Sequence, residues 1–530
     1  MSCWANEMKR SARRRIDVNL EELDRTLDAA REKPLSAEDC AKLKDTLHAL
    51  VKMVVARPRT SEKTHAVVGP ETEPAESAPG SDSKAPPHQH AGHGRNGGDA
   101  FKGAQRISIA HQELKHGDRC PECGQGKVYQ QKEPKVLVRI VGQAPIAATR
   151  YDLERLRCNA CNQIFTAQEP EGVGPEKYDD TAAAMIAQLK YGSGVPFNRT
   201  EQLEQRLGIP LPAATQWAIV EEAAEVIKPA HEELIRQAAQ GEVFHNDDTG
   251  VRILKMERPD GDGRTGTFTS GVVSISQTDS GEELQIALYF SGRNHAGENL
   301  AEVLKRRAAD LGPAIQMSDA LSRNVPKVGP GVELLVANCL AHGRRNFVEV
   351  VGNFPEECRW VLETLGQVYA NDAVAKERKM TPAERLQFHQ EHSQPLMESL
   401  KEWMGQQFSE RKVEPNSGLG KAITYMDRHW KALTLFLREP GAPLDNNVCE
   451  RILKRAILHR KNALFYRTQN GADVGDLFQS LIQTCDLNDV NSFDYLVELL
   501  RHAKELAASP ADWMPWNYRE TLTRAGPAAN

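Results

Sequence analysis

Apolar positions change their spacing several times along the chain, and each change marks an element boundary. Near the start, Leu20, Leu23 and Leu27 form one helical stripe; Leu43, Leu47, Leu50, Val51 and Val54 form another, with Ser36 as its N-cap. From about Arg57 to Ala104 apolar residues thin out and Pro, Gly, Ser and His dominate, which predicts a flexible linker; His88, His90 and His93 fall in this tract. Residues 177–240 return to a helical period, with a turn around Gly208 and Pro210 inside TEQLEQRLGIPLPAATQWAIVEEAAE. That segment reads as a helix-turn-helix or as a plain helical hairpin, and Glu221 and Glu222 on its second helix weigh against a DNA-reading face. After Glu242 the period becomes two, and strands are expected at 242–247, 251–256, 267–277 and 284–290. A helix follows at about 297–311, carrying Leu300, Val303, Leu304 and Leu311, then short strands at 314–318 and 332–339. Helical spacing resumes in 347–440, where Pro355 opens one helix and Thr381-Pro-Ala-Glu384 is a capping box. Further helices are expected at Leu477–Cys485 and Phe493–Ala503, before a tail with Trp513, Trp516 and Tyr518.

Three antiparallel-type strands, a helix and further strands follow the order of the ribonuclease H-like fold, a sheet covered by helices on both faces. At 530 residues the chain exceeds the size of a single core. The expected architecture is a multidomain α+β protein. It comprises an N-terminal helical region (1–56), a linker (57–104), a zinc-ribbon module (105–170) and a helical segment (171–240). The first part of a ribonuclease H-like core (241–346) is followed by a helical insertion (347–440). The rest of the core, carrying a third acid, spans 441–485, and a C-terminal helical element spans 486–530.

The chemistry of the core resides in three acids. Asp247 and Asp319 close strand-like runs, and Glu450 lies early in a helix begun by Pro443, Asp445, Asn446 and Asn447. By strand alternation Asp247 shares a face with Val243 and His245, Asp248 points the other way, and Asp319 continues the face of Ile315 and Met317. Taken singly, each aspartate reads equally as a turn or capping residue, and Glu450 as an ion-pair partner of Lys454. Together they are the donors that hold two divalent metals, Mg²⁺ or Mn²⁺, for phosphodiester chemistry.

Charge and cysteines sharpen this picture. The net charge of −6 does not favour a polyanionic partner, but residues 451–467 contain Arg451, Lys454, Arg455, Arg460, Lys461 and Arg467 and no acid. Such a cluster directly after Glu450 is either a solvated helix face or a phosphate-binding one. Cys120 with Cys123, and Cys158 with Cys161, form two Cys-x-x-Cys knuckles around a β-type stretch (Val136, Leu137, Val138, Ile140, Val141). Four thiolates so arranged describe a zinc ribbon with a structural Zn²⁺ and no open position for water. The six other cysteines are scattered, as for free thiols in a reducing compartment. No apolar run is long enough for a membrane span, and MSCWANEMKRSARRR lacks the apolar segment of a secretory signal, so a cytoplasmic location is expected.

The CPECG and CNAC knuckles, HNDDTGVRIL, QMSDA, CLAHGRRNF and APLDNNVCERILKR occur in one order over nearly the whole chain. In this the chain resembles transposases of the insertion sequence 66 family. The resemblance implies a DDE-type transposase whose acids are Asp247, Asp319 and Glu450. Asp248 stands where the family usually has Glu, and ALSRN after Asp319 departs from its usual Gly-Tyr continuation. His342, Arg344 and Arg345 match the family's Ala-His-x-Arg-Arg stretch and are candidates for phosphate contact or for support of the site. The resemblance further implies DNA partners (element ends and target), assembly as at least a dimer, and small accessory proteins of the same element. A nuclease without transfer activity and a non-catalytic DNA-binding regulator are the competing functions.

Overall fold

The computed structural model describes residues 108–110, 112–129, 144–157, 164–171, 176–256, 263–277, 281 and 283–525. The expected N-terminal helices and linker, the β-type stretch 136–141, Cys158 and Cys161 lie outside these residues. In chain order, strands β1 (Arg155–Arg157) and β2 (Ile164–Thr166) precede helices α1 (Asp180–Ala187), α2 (Phe197–Arg206) and α3 (Ala213–Ala238). Strands β3 (Val243–Gly250), β4 (Ile253–Lys255), β5 (Phe268–Gln277) and β6 (Glu283–Gly292) follow. Then come α4 (Ala296–Leu304), β7 (Ala314–Ser318), a 3₁₀ turn at Ser322–Asn324 and β8 (Leu334–Asn338). Helices α5 (Leu340–Val350), α6 (Pro355–Glu377), α7 (Pro382–His392), α8 (Gln394–Ser409) and α9 (Gly418–Leu433) lead to α10 (Asn447–Ala463). The chain ends with β9 (Tyr466–Thr468), α11 (Gln469–Leu487), α12 (Ser492–Arg501), α13 (Ala503–Ala508) and α14 (Tyr518–Ala525).

The mixed sheet has the strand order β6-β5-β3-β7-β8. Two compact units divide the chain, and β3 passes from one to the other after Asp247. The first contains Gly241–Asp247 and Ala296–Glu450. In it β3, β7 and β8 run parallel, with Val243 opposite Ile315, His245 opposite Met317 and Ser318 opposite Asn338. The helices α6 to α8 pack on one another, and α5 packs on α6 and α9. Helix α7 starts as the sequence predicts: Thr381 Oγ1 accepts from Glu384 N while the Glu384 carboxylate accepts from Thr381 N.

Helix α4 is shorter than its apolar spacing predicts. The Arg306 and Arg307 amides bond three residues back, to Val303 and Leu304, which tightens the last turn into 3₁₀ geometry. Arg307 then donates to the carbonyls of Gly241 (2.7 Å) and Gly312 (3.0 Å), and Leu311 is left exposed.

The second unit takes in the described part of 72–240 together with Asp248–His295 and Arg451 onward. Its centre is the antiparallel β5–β6 hairpin, against which α11, α3 and α10 pack. Gly271 of β5 sits where a Cβ would lie 3.1 Å from Leu453 and 3.2 Å from Ile452, so α10 crosses this strand closely. Strand β6 ends the sheet and would leave a row of amides unpaired. Three polar side chains of α11 and that of its C-cap Asn488, spaced four residues apart, cover that row. Asp476 accepts from the amide of Ser291, Ser480 from Tyr289 (2.9 Å), Thr484 from Ala287 (3.1 Å) and Asn488 from Gln285 (3.3 Å). The register holds because four helical residues rise about 6.0 Å and two strand residues about 6.7 Å.

Helix α3 is a core helix along its length, buried at Val220, Ala224, Ile227, Ala230 and Leu234. The C-terminal tail packs back: Trp513 and Tyr518 are buried, and Tyr495 Oη donates to the Trp513 carbonyl at 2.8 Å. No described helix is long and apolar enough to cross a membrane.

Candidate active site

Parallel strands converge their side chains at their carboxyl ends, where α/β proteins place ligands. Two residues beyond the pair His245–Met317 are Asp247, which lies within β3 because that strand runs past the expected end at 247 to Gly250, and Asp319, which directly follows β7. Both continue the face of that pair, as alternation predicts. One residue beyond the pair Ser318–Asn338 are Asp319 and Cys339. Asn324, on the 3₁₀ turn after β7, ties the two aspartates together. Its Nδ2 donates to Asp319 Oδ1 at 2.6 Å and to Asp247 Oδ1 at 3.1 Å.

Asn324 is in turn fixed from behind. Its carbonyl accepts from Asn246 Nδ2 (2.7 Å) and Gln316 Nε2 (3.2 Å), and Gln316 also donates to Asn246 Oδ1 (2.6 Å). All three are fully buried, so each unmade hydrogen bond there would carry the desolvation cost of its group. The backbone of this turn lies hard against α4. A Cβ on Gly297 would sit 2.6 Å from the Arg323 carbonyl oxygen and 2.8 Å from that of Val325.

The segment that leads into α10, the helix carrying the third acid, is bonded to the same strands. The Leu340 amide donates to the Leu444 carbonyl (2.9 Å), and the Asn446 amide to Cys339 Sγ (3.3 Å). Asn446 Nδ2 donates to the Asn246 carbonyl (3.1 Å), and its Oδ1 accepts from His245 Nδ1 (3.1 Å). Burial lowers His245 to about 4, so the ring is neutral at pH 7 and serves as a donor to Asn446. The Cys449 thiol, next to Glu450, is buried and takes a hydrogen bond from the Asp247 backbone; burial and the nearby Asp247 and Glu450 push it far up. Glu450 Oε1 lies 3.8 Å from His342 Nε2, and this oxygen is buried with no hydrogen-bond partner.

The alternative acids are otherwise engaged. Asp248 is buried and bonds His295 at 2.8 Å. Asp445 accepts from Asn447 N (3.1 Å) and Nδ2 (2.8 Å), capping the start of α10. Asp319 Oδ1 also accepts from the Leu321 amide (3.2 Å), a turn contact, while the buried Glu450 Oε1, on the first turn of α10, has no hydrogen-bond partner and fits a divalent cation. Cys339 Sγ, a His342 ring nitrogen and a Glu450 oxygen also lie within 4.8 Å of one another; burial lifts the Cys339 thiol to about 11.

The remaining candidates are dispersed. Arg451, Lys454 and Lys461 are exposed on α10, whereas Arg455 pairs with Asp486 and Arg460 donates to Thr249 Oγ1 and the Gly250 carbonyl. Arg344 and Arg345 are half-buried on α5. Cys120 and Cys123 lie on a turn closed by Gly124 N to Cys120 O (2.9 Å), with Gly124 at φ +64°. The Gly126 amide, 3.5 Å from Cys123 Sγ, draws that thiol below its ordinary value. Strands β1 and β2 pair antiparallel, and Cys158 and Cys161, between them in sequence, lie outside the described residues.

Asn324, Asn446, Asn246 and Gln316 are absent from the sequence-derived set. Gln316 was detectable in principle: a polar residue inside the apolar run AIQMS needs a buried partner. Nothing in the local sequence identifies Asn324.

A family model described as "Transposase IS66 family" matches residues 177–474, which take in all three acids. Two proteins of Sinorhizobium fredii (strain NBRC 101917 / NGR234) are similar to the chain. "Uncharacterized protein y4hP" is 26% identical over 384 residues, covering 69% of this chain and 67% of its own length. "Uncharacterized protein y4jD" is 25% identical over 377 residues, covering 69% and 71%.

Proposed function

The chain belongs to the transposase IS66 family, and from that premise we propose that it is a DNA transposase that cleaves and joins strands at Asp247, Asp319 and Glu450. The observation that carries this reading is the shared Asn324 donor, which bonds both a carboxylate of β3 and the carboxylate directly after β7. The Asn446 and Cys449 contacts, which tie the start of the helix carrying Glu450 to β3, support Glu450 as the third acid. Mg²⁺ or Mn²⁺ bound by these acids would activate the attacking water or DNA 3′-hydroxyl and stabilise the leaving oxygen. Asn324 orients the two aspartates by donating to one oxygen of each. His342 faces Glu450, where it positions that carboxylate or meets a phosphate.

Exposed Arg451, Lys454 and Lys461 supply phosphate contacts along DNA, with Arg344, Arg345, Arg455 and Arg460 as supporting cations. Cys120, Cys123, Cys158 and Cys161 hold a structural Zn²⁺, as the turn at Gly124 and the β1–β2 hairpin favour. Joining two element ends calls for at least a dimer, with accessory proteins of the element as further partners, in the cytoplasm.

The test is strand transfer by the full chain on end-containing DNA with Mg²⁺. Asp319→Asn should lower the rate about a thousandfold, roughly 4 kcal/mol of transition-state stabilisation. Full activity in that variant overturns the site. Cleaved ends without joined product would identify a nuclease, and DNA binding without metal-dependent cleavage a regulator.

A further inference from the structure

Cys339 and His342 are three residues apart, and they occupy the cap and first turn of α5, so their side chains share one helix face. Glu450 enters from the first turn of α10. One donor atom from each lies within 4.8 Å of the others, and His342 Nε2 to Glu450 Oε1 is 3.8 Å. Tetrahedral zinc ligands at about 2.0–2.3 Å from the metal are separated by roughly 3.5 Å, so the imidazole–carboxylate edge is near its bound length. The Glu450 oxygen has no hydrogen-bond partner despite its burial. A thiol, an imidazole and a carboxylate are a donor set suited to zinc, whereas Mg²⁺ takes oxygen ligands and keeps several waters.

We propose that Cys339, His342 and Glu450 form a site for a thiophilic divalent cation of the Zn²⁺ class, which competes with the oxygen-bound catalytic metals for Glu450. Three protein ligands leave one tetrahedral position to water. Binding forms the metal–sulfur bond as the thiol proton leaves to solvent. The Asn446 amide already directed at the sulfur, 3.3 Å away, then stabilises the anion. A cation seated there ties Glu450 to the Cys339–His342 side, away from the aspartates. Thiophilic metal would thus switch off a site that oxygen-loving metal switches on. The competition rests on the catalytic reading of Glu450; cation binding by the three residues does not.

The probe is Co²⁺, titrated into the metal-free full chain and followed by bound metal and by its thiolate-to-metal absorption. Wild type should take up one more equivalent than Cys339→Ser or His342→Asn, the four-cysteine module contributing equally to all three. Equal uptake by wild type and both variants overturns the site. Should Cys339→Ser fail to fold, His342→Asn decides, because its side chain is part-exposed. Mg²⁺ at ten times its half-saturating concentration should weaken the extra Co²⁺ site about elevenfold; an unchanged Co²⁺ affinity overturns the competition. Strand-transfer activity of the wild type in Mg²⁺ alone is read separately. Its absence refutes the transposase function without touching the Co²⁺ result.

Discussion

Asp476 should make this protein less stable as pH rises through neutrality. The residue is fully buried under β6, where its two oxygens meet the amide and the hydroxyl of Ser291, the latter at 2.8 Å. Burial raises its carboxyl from 3.8 to about 8, outweighing the Ser291 hydrogen bonds, with Asp473 adding to the rise. The folded state therefore binds this proton more tightly than the unfolded chain. Its stabilisation is fully present below about pH 4 and is lost as pH rises through about 8. A shift of about four units at about 1.36 kcal/mol each sets a ceiling near 5 kcal/mol.

Asp476→Asn isolates the effect. The amide oxygen still accepts from the Ser291 amide, and the amide nitrogen donates to the Ser291 hydroxyl, which passes its own proton to Thr269 at 2.7 Å. Urea unfolding at pH 5 and pH 8 should show wild type losing several kcal/mol more than the variant between the two. At pH 8 the variant should be at least as stable as wild type. Equal losses in both proteins would refute a neutral buried carboxyl.

Gly297→Ala places a methyl 2.6 Å from a carbonyl oxygen of the Asn324 turn; it should cost about 1–3 kcal/mol, measured by thermal unfolding, and a wild-type midpoint would show that the turn is not held against α4. Asn324→Ala removes the donor shared by Asp247 and Asp319. It should raise the Mg²⁺ concentration for half-maximal strand transfer about 10–100-fold, while an unchanged Mg²⁺ dependence would reduce Asn324 to a structural residue. Burial would by itself raise the Asp372 carboxyl, but His389, Arg385 and Lys376 hold it well below the usual range. Its stabilisation is present above about pH 4 and lost below; Asp372→Ala should cost about 3–5 kcal/mol at pH 7 and flatten the acid side of the stability profile.

The faces of Asp247 and Asp319 were legible in the sequence because alternation is a local rule, whereas the end of β3 was not, since the strand runs on to Gly250. Asp247 shares its face with Val243 and His245, and the β3–β7 register places it beside Asp319 without further assumption. The preference for Glu450 over Asp445 rested on helix geometry together with the family resemblance, and Asp445 accepts from Asn447 at the start of the helix that carries Glu450. What the sequence withheld is long-range and polar. Gln316, Asn246 and Asn324 find one another across turns of chain whose spacing carries no periodic signal. The ladder from Asp476 to Asn488 has a strict period of four, yet on a helix that period marks a face without saying that a bare strand edge lies opposite. The basic residues of α10 are adjacent in sequence, but an ion pair such as Arg455–Asp486 depends on a partner in α11.

The separation of Asp319 from Glu450 in sequence is a weaker obstacle than it looks. The chain leaves the sheet at Cys339–Leu340 and returns at Leu444–Asn446, and those two points are bonded to each other, amide to carbonyl and amide to sulfur. Everything between them, α5 to α9 included, is a loop closed at its base. Closing such a loop costs only about 0.6 kcal/mol more for each doubling of its length. The geometry at the acids is set instead by the clamp, in which Asn446 holds β3 and Cys449 holds Asp247. Helices α6 to α8 can therefore vary in length and content without moving Glu450, provided the clamp residues and the α5 cap remain. That independence is why the third acid can follow so long an excursion while the start of its helix stays bonded to β3 and to Cys339.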